Sequence, residues 1–467
     1  MDFGIGDGVV RIDDVKVAVI GDITNLEGKR VLVVGLGKSG RAAAEFVHSR
    51  GGLVTLGDEK PLESMPETAA LAARLGLGFE LLSESTKPAF DLPAFDLMVQ
   101  SPGVPLEKSY FENARKAGVK ITGEVELAAP FLKGPVIGIT GSNGKTTTTT
   151  WASKMMEACG VPCQTGGNIG RPVTDMVATS RDDQWNLLEL SSFQLETIET
   201  FQARIAVVLN LTANHMDRHH TMEAYVAAKV RLLETQSADS YAVLENNSTL
   251  ASNVKGPLIR FNSSGPMEKG AGIENGWITW NGSPVVEAAS LGIPGQHNVE
   301  NCMAAMAVVM LAGGNADGIA KAAREFCGVE HRIEFVRERR GVKYYNDSKS
   351  TTAEATMTAM GAFKKGVWLI LGGSDKGLSY TGLISYKNRV TKALLVGRIA
   401  ELLKSQLSQE IDVEVCATLP AAVQIASRNA QPGDTVLLSP GTASYDQFAN
   451  YEERGRAFKQ LVRALED

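Results

Sequence analysis

The chain has 467 residues, of which 44% are hydrophobic and 21% charged, ample material for several globular cores. Lys and Arg total 47 against 53 Asp and Glu, and the net charge of −6 excludes a protein held to nucleic acid mainly by bulk positive charge. No uncharged apolar run reaches the ~18 residues of a membrane span, and the opening MDFGIGDGVV lacks the pattern of a secretory signal, so a cytoplasmic protein is expected.

Length alone argues for two to four domains at ~100–200 residues each. A strand-like run, Val17–Ile20, comes first, with no role to assign. Arg30–Val34 reads as a strand, Gly35–Gly40 as a glycine turn, Arg41–Val47 as a helix and Leu53–Leu56 as the next strand, ending at Gly57-Asp58. That is one βαβ unit. Asp96–Gln100 is a further strand, ending in the turn Ser101-Pro102-Gly103. A second unit opens with the strand Val136–Thr140, followed by Gly141–Thr146, a Thr-rich segment and a helix from Trp151 to Ala158. Strands at Asn186–Leu190 and Ile205–Leu209 follow. Residues 254–285 resemble a small β-rich insertion, and a helix spans about Asn298–Leu311. Strands at Val367–Leu371, Ala393–Val396 and Thr435–Leu438 alternate with helices in a third unit.

The expected fold is therefore α/β in three domains: 1–128 (with 1–25 unassigned), a central 129–329 and a C-terminal 330–467. Five scattered cysteines, Cys159, Cys163, Cys302, Cys327 and Cys416, contain no CxxC pair and read as reduced buried thiols.

The chemistry sits in the turns. GLGKSG matches the GxGxxG pattern, and Asp58 ends the following strand, a combination that suggests a pyrophosphate on a helix N-terminus. Nothing in the turn fixes which nucleotide. TGSNGKT (Thr140–Thr146) is a shorter relative of GxxxxGK[ST], since Ile139 stands at the first glycine position. A Lys-Thr pair at a helix start after a strand suits nucleotide phosphates and Mg²⁺, with Lys145 on the β/γ-phosphates and Thr146 on the metal. Glu189, a hard oxygen donor, falls at a strand end, and His215 lies just past another. In an open parallel sheet those strand ends face the ligand crevice. His219 and His220 read as surface residues.

These motifs occur in order with GGNIG (Gly166–Gly170), LELSSFQLE (Leu188–Glu196), HMDRH (His215–His219), GQHNVEN (Gly295–Asn301), EHR (Glu330–Arg332), NDSKST (Asn346–Thr351) and SYDQF (Ser444–Phe448). Together they resemble the Mur ligases, from about Leu26 to the C-terminus. The resemblance implies an N-terminal Rossmann-like UDP-binding domain, a central P-loop ATPase-type parallel sheet and a C-terminal Rossmann-like domain. Within the family it points to the members that add D-glutamate to UDP-N-acetylmuramoyl-L-alanine through an acyl phosphate, in peptidoglycan precursor synthesis. ATP and two Mg²⁺ ions are implied, with no nucleic acid and no membrane partner, the enzyme being a monomer.

By motif match, Lys145, Glu189, His215 and Lys229 are catalytic. Gly141, Ser142, Asn143, Gly144, Lys145, Thr146, Thr147, Asn301, His331, Arg332 and Asp347 bind ATP. Lys38, Ser39, Asp58, Gly103, Asn168, Gln194 and His215 meet the UDP substrate. Lys349, Thr351, Lys376, Ser444, Tyr445 and Tyr451 meet D-glutamate. Thr146, Glu189, His215 and Lys229 as a carbamate hold the metals. The alternatives are another Mur ligase with a different amino acid, or a folylpolyglutamate-synthase-like ligase. A dehydrogenase built on GLGKSG leaves TGSNGKT, Glu189, His215 and Lys229 without a role. A non-catalytic nucleotide-binding protein predicts loss of the phosphate and metal residues, which are present. The sequence departs from the family at Pro440–Ala443, at Tyr445 and Tyr451, and at Thr212–Asn214.

Overall fold

The computed structural model describes residues 23–83, 94–293, 295–374 and 379–466. The run Val17–Ile20 and Lys376 lie outside the described residues. Among the described residues there are three sheets. The first contains β1 (Arg30–Val34), β2 (Leu53–Asp58), β3 (Gly78–Leu81), β4 (Leu97–Gln100) and β5 (Lys120–Gly123) in the order β3-β2-β1-β4-β5. All its pairs are parallel. Alternation along β1 sends Val31 and Val33 to one face, against Ala43, Ala44 and Val47 of the helix Lys38–His48. Leu32 and Val34 go to the other, against Tyr110 and Phe111 of the helix Ser109–Lys116. Burial on both faces is why the strands read as continuous apolar runs.

The second sheet contains β6 (Val136–Thr140), β7 (Cys163–Gly167), β8 (Trp185–Glu189), β9 (Ile205–Val208), β10 (Tyr241–Glu245), β11 (Leu258–Phe261), β12 (Ala271–Glu274), β13 (Trp277–Trp280) and β14 (Ser283–Glu287). Their order is β14-β13-β12-β11-β10-β9-β6-β8-β7. The β-rich stretch expected as an insertion is a continuation of this sheet. β11 pairs parallel to β10, and β12–β14 add an antiparallel meander at the edge. Its two hairpin turns are both Asn-Gly with positive φ at each residue, Asn275 49° and Gly276 80°, Asn281 49° and Gly282 78°. That conformation matches the twist of the flanking strands.

The third sheet contains β15 (Glu334–Arg339), β16 (Val342–Asn346), β17 (Val367–Gly372), β18 (Val390–Val396), β19 (Val413–Ala417) and β20 (Thr435–Leu438), ordered β15-β16-β20-β17-β18-β19. Only β15 runs antiparallel. The first two sheets fall in one compact unit and the third in a second. The expected α/β architecture, with a parallel sheet in each of three regions, is what the chain adopts. The cysteines differ from expectation: Cys302 and Cys416 are buried, Cys159 and Cys163 half-buried, and Cys327 exposed. No described helix is long and apolar enough to cross a membrane.

Candidate active site

The loop after β6 enters the helix Lys145–Ala158, which begins at the lysine of TGSNGKT, so the Thr-rich segment is already helical. Gly144 caps it at φ 82°. A Cβ there would stand 2.2 Å from Asn301 Oδ1, so this position demands glycine for space as well as conformation. The same Asn301 oxygen accepts from Thr148 Oγ1 at 3.2 Å. Thus the GQHNVEN helix, Gln296–Leu311, packs against the start of the phosphate-loop helix. Ser142 donates to the Thr212 carbonyl at 2.8 Å, and Asn143 N donates to Asn210 Oδ1 at 2.8 Å. The loop is therefore anchored to the segment after β9. Lys145 Nζ folds back onto the carbonyls of Gly141 (2.8 Å) and Ser142 (2.9 Å). Thr146 is buried and Thr147 half-buried beside it. A cavity of about 300 Å³ adjoins this loop, lined by Asn143, Gly144, Phe261, His297, Glu300 and Asn301 among others. His297 and Glu300 carried no sequence signal of their own beyond their place in GQHNVEN.

Lys229 lies on the helix Met222–Glu234 and is only 1% exposed. Its Nζ donates to Gly141 O at 3.0 Å and Thr140 Oγ1 at 3.2 Å, and sits 4.7 Å over the Tyr225 ring. Burial, reinforced by the Lys145 charge and opposed by Glu189, pulls its pKa down to about 7. A buried lysine held against a phosphate loop is not a surface lysine. Glu189, also 1% exposed, ends β8. Its Oε1 accepts from Asn168 Nδ2 at 2.7 Å, while Oε2 is buried with no hydrogen-bond partner. The exposed Asn168 is fixed from the other side too, its N–H bonding the Glu189 carbonyl at 2.8 Å. Gln194 closes a capping box with Ser191 and is buried.

In the first sheet's loops, Asp58 is committed to the backbone. It accepts from Leu36 N at 2.8 Å and Lys60 N at 3.0 Å, which fixes the GLGKSG turn. Lys38 reaches across to the Gly170 carbonyl of GGNIG at 2.6 Å, and Ser39 is half-buried. Gly103 is exposed in the turn after β4. The structure thus joins Lys38 to the Asn168 loop, and the Asn168 loop to Glu189.

His215 is exposed and takes a left-handed conformation, φ 55° and ψ 38°, at the start of the short helix Met216–His219. Its ring lies 5.0 Å from Phe193. His219, expected at the surface, is 7% exposed. It stacks on Phe193 (5.2 Å, 13°), shares a 2.9 Å hydrogen bond with Ser192 Oγ and meets Tyr225 edge-on. Burial and the neighbouring Arg218 charge lower its pKa. His220 is exposed, as expected. Among the described residues no three His, Cys, Asp or Glu side chains gather as a metal centre.

The second unit builds its own cluster at the carboxyl ends of its strands. Asp347, just past β16, is 2% exposed and accepts from Ser350 Oγ (2.6 Å), Ser439 Oγ (2.7 Å) and Ile333 N (3.1 Å). Burial outweighs those bonds and lifts its pKa to about 6. His331, buried with φ 66°, bonds Asn346 through Nδ1 at 2.8 Å and meets Tyr451 edge-on. Arg332 is exposed beside it. Lys349 N donates to His331 O at 3.0 Å, so these residues share one loop cluster. Lys349 and Thr351 are half-buried, Ser444 is buried and Tyr445 is 76% exposed. Arg454, which sequence reasoning missed, ties that cluster together by donating to the carbonyls of Ser348 (3.0 Å) and Thr442 (3.1 Å). Its pKa is lowered to about 10 by burial.

Three family descriptions match the chain in succession: "Mur ligase MurD-like, N-terminal domain" over residues 29–123, "Mur ligase middle domain" over 139–309 and "Mur ligase, glutamate ligase domain" over 331–441. The UDP-N-acetylmuramoylalanine–D-glutamate ligase of Solibacter usitatus is 48% identical over 94% of this chain and 99% of its own length. The protein of the same name from Acidobacterium capsulatum is 43% identical over 94% and 97%. Among solved structures, the UDP-N-acetylmuramate-alanine ligase MurC of Thermotoga maritima shares the fold, with a TM-score of 0.54 at 17% identity over 93% of this chain and 99% of that one. The MurF ligase of the same organism, solved with ADP, gives 0.51 at 15% identity over 95% and 97%. With all three domain descriptions in order along one chain, and relatives matched over nearly their whole length, the chain belongs to the Mur ligase family.

Proposed function

We propose that the chain is the ATP-dependent ligase that adds D-glutamate to UDP-N-acetylmuramoyl-L-alanine in peptidoglycan precursor synthesis. A carboxylate is a poor electrophile because its charge repels a nucleophile. Transfer of the γ-phosphoryl group of ATP to the alanine carboxylate gives an acyl phosphate. The amine of D-glutamate attacks its carbonyl carbon, and the tetrahedral intermediate collapses to an amide with phosphate as leaving group.

The residue assignments rest on the family motifs. The observation that supports the phosphate and metal roles is the convergence of Lys145, Glu189 and Lys229 at the carboxyl ends of β6 and β8. The loop Gly141–Thr147 and the helix behind it supply amides and dipole for phosphate. The Lys145 ammonium, now on two loop carbonyls, moves onto the transferring phosphoryl oxygens. Asn301 and the adjoining cavity take the nucleoside side of ATP, and the family motifs assign His331, Arg332 and Asp347 to ATP as well. Residues 1–128 take the UDP end through Lys38, Ser39, Asp58 and Gly103, and Asn168, Gln194 and His215 take the muramoyl end. Lys349, Thr351, Lys376, Ser444, Tyr445 and Tyr451 take D-glutamate. Residues 129–329 form the ATP domain.

The unpartnered, buried Glu189 Oε2 fits a divalent cation, since a carboxylate oxygen without a donor is costly unless something positive meets it. Thr146, Glu189, His215 and Lys229 as its carbamate are the residues that would hold Mg²⁺. Bound there, the ion would neutralise charge on the phosphoryl group. The reaction runs in the cytoplasm, where ATP is supplied, on a monomeric chain.

The test is ATP-dependent phosphate release with each amino acid offered alongside each UDP-muramoyl substrate. D-glutamate with UDP-N-acetylmuramoyl-L-alanine is the expected pair. Faster release with L-lysine or diaminopimelate would move the chain to another member of the family.

A further inference from the structure

Arg218 stands on the same short helix as the end of the HMDRH motif, and nothing in the chemistry above uses it. Its side chain is only 11% exposed. Nη2 donates to the Val104 carbonyl at 3.0 Å and to Glu196 Oε2 at 3.4 Å, and Nη1 reaches the Pro102 carbonyl at 3.5 Å. The guanidinium lies 4.6 Å over the Phe193 ring. That ring is the same one that packs against His215 and carries His219. Arg218 N also closes onto the His215 carbonyl at 3.1 Å. One planar cation therefore grips the Ser101–Val104 turn of the first sheet with its fork and lays its face on Phe193, the ring that His215 also touches.

Both gripped parts need holding. His215 sits in a left-handed conformation that costs a residue with a Cβ roughly 1–2 kcal/mol and persists only where the surroundings impose it. The turn after β4 is otherwise fixed by its own Gln100, whose Nε2 donates to the same Val104 carbonyl at 2.6 Å. We propose that Arg218 is a positioning residue that couples the Ser101–Val104 turn to His215, so that one guanidinium sets both the turn receiving the UDP-linked substrate and the imidazole facing its muramoyl end. This rests on the reading that Gly103 and His215 meet that substrate. Lysine cannot replace it. An ammonium can meet two carbonyls, but it has no planar face to lay on Phe193 and no second nitrogen to spread the contacts.

The experiment compares wild type, Arg218→Lys and Phe193→Leu, the latter keeping an apolar side chain of similar bulk while removing the ring. KM for UDP-N-acetylmuramoyl-L-alanine, KM for ATP and the melting midpoint are measured, and Arg218→Lys is repeated in a His215→Ala background. In either single variant KM for the UDP substrate is expected to rise about tenfold, with KM for ATP within about twofold. In the His215→Ala background the Arg218→Lys effect is expected to shrink, since the residue acts through His215. An unchanged KM for the UDP substrate in both variants overturns the inference. So does a parallel rise in both KM values with a lowered melting midpoint, or an undiminished effect without His215. Absence of D-glutamate ligation by the wild type would instead defeat the functional reading itself.

Discussion

Lys145 shows how a side chain can be legible in sequence and still need the fold to be understood. Gly-Lys-Thr at a helix start announces phosphate, and the lysine is found parked on the loop's own carbonyls. Because those bonds hold no core, Lys145→Ala should cost about 10³-fold or more in kcat and leave the melting midpoint nearly unchanged; turnover close to wild type at saturating Mg-ATP would remove the assignment. Lys229 was reached through its motif, while its burial and its contact with Gly141 O came from residues far along the chain. With its pKa near 7 the amine is half neutral at that pH and largely neutral above it, and only a neutral amine adds CO₂ to form a carbamate. The sign follows: lowering the pH through about 7 restores the ammonium, so carbamate and activity fall together on the acid side. Labelled bicarbonate should give a carbamate carbon signal that Lys229→Ala abolishes, and an equal signal in that variant would exclude the site. His219 was misjudged because its burial depends on Ser192, 27 positions earlier, and on the Phe193 ring, which no local pattern reveals.

Elements were legible where local rules decide them. Strands buried on both faces stood out as apolar runs, and the glycine turns marked their carboxyl ends. The helix Lys145–Ala158 starts earlier than its threonines suggest, because packing against the Asn301 helix overrides weak propensity. The two Asn-Gly turns were a readable hairpin signal, but the parallel pairing of β11 with β10 is a long-range fact that periodicity does not encode. The short helix Glu124–Ala128 is another such case. Its Glu126 accepts from the backbone of Glu199, Thr200 and Phe201, and its Glu124 from Thr174 N at 2.7 Å, so one turn of helix joins the first two sheets. Glu124 is 1% exposed with Oε2 unpartnered, and burial lifts its pKa from 4.5 to about 7. Between those pH values the folded chain keeps a proton that the unfolded chain has released, so this group's contribution to stability falls as pH rises from 4.5 to 7 and stays low above. Glu124→Gln keeps an acceptor for Thr174 and cannot ionise. Relative to wild type it should gain about 1–3 kcal/mol on going from pH 5 to pH 8, read from denaturant midpoints. A pH-independent difference between the two proteins would show that Glu124 is ionised throughout.

At the scale of the whole molecule, three largely parallel sheets place the Lys145 loop, Glu189 and Asp347 at strand carboxyl ends, and this arrangement was readable where a motif directly follows an apolar run, as TGSNGKT does. The assignment of residues 290–293 to the unit of the third sheet was not readable, since that grouping is made by packing and not by order along the chain. On the proposed function, the choice of amino acid belongs to the third sheet. Its carboxyl-end loops are tied to one another by Gly441 N to Ser350 O (2.9 Å), Ser374 N to Ala443 O (2.9 Å) and the two Arg454 bonds, so Lys349, Thr351 and Ser444 stand on a braced rim. D-glutamate carries two carboxylates, and a rim with cationic and hydroxyl donors for both leaves half of them unanswered when the side-chain carboxylate is missing. A site built to pair charge rejects an analogue lacking it by about 10⁴-fold, far more than a missing methylene costs in an apolar pocket. D-alanine should therefore fall short of D-glutamate in kcat/KM by about that factor, with KM for ATP unaffected. Lys349→Met should narrow the gap by harming D-glutamate and sparing D-alanine, because only the former uses the ammonium. If D-alanine proved nearly as good a substrate as D-glutamate in the wild type, or Lys349→Met slowed both equally, recognition of the side-chain carboxylate would have to lie elsewhere than on this rim.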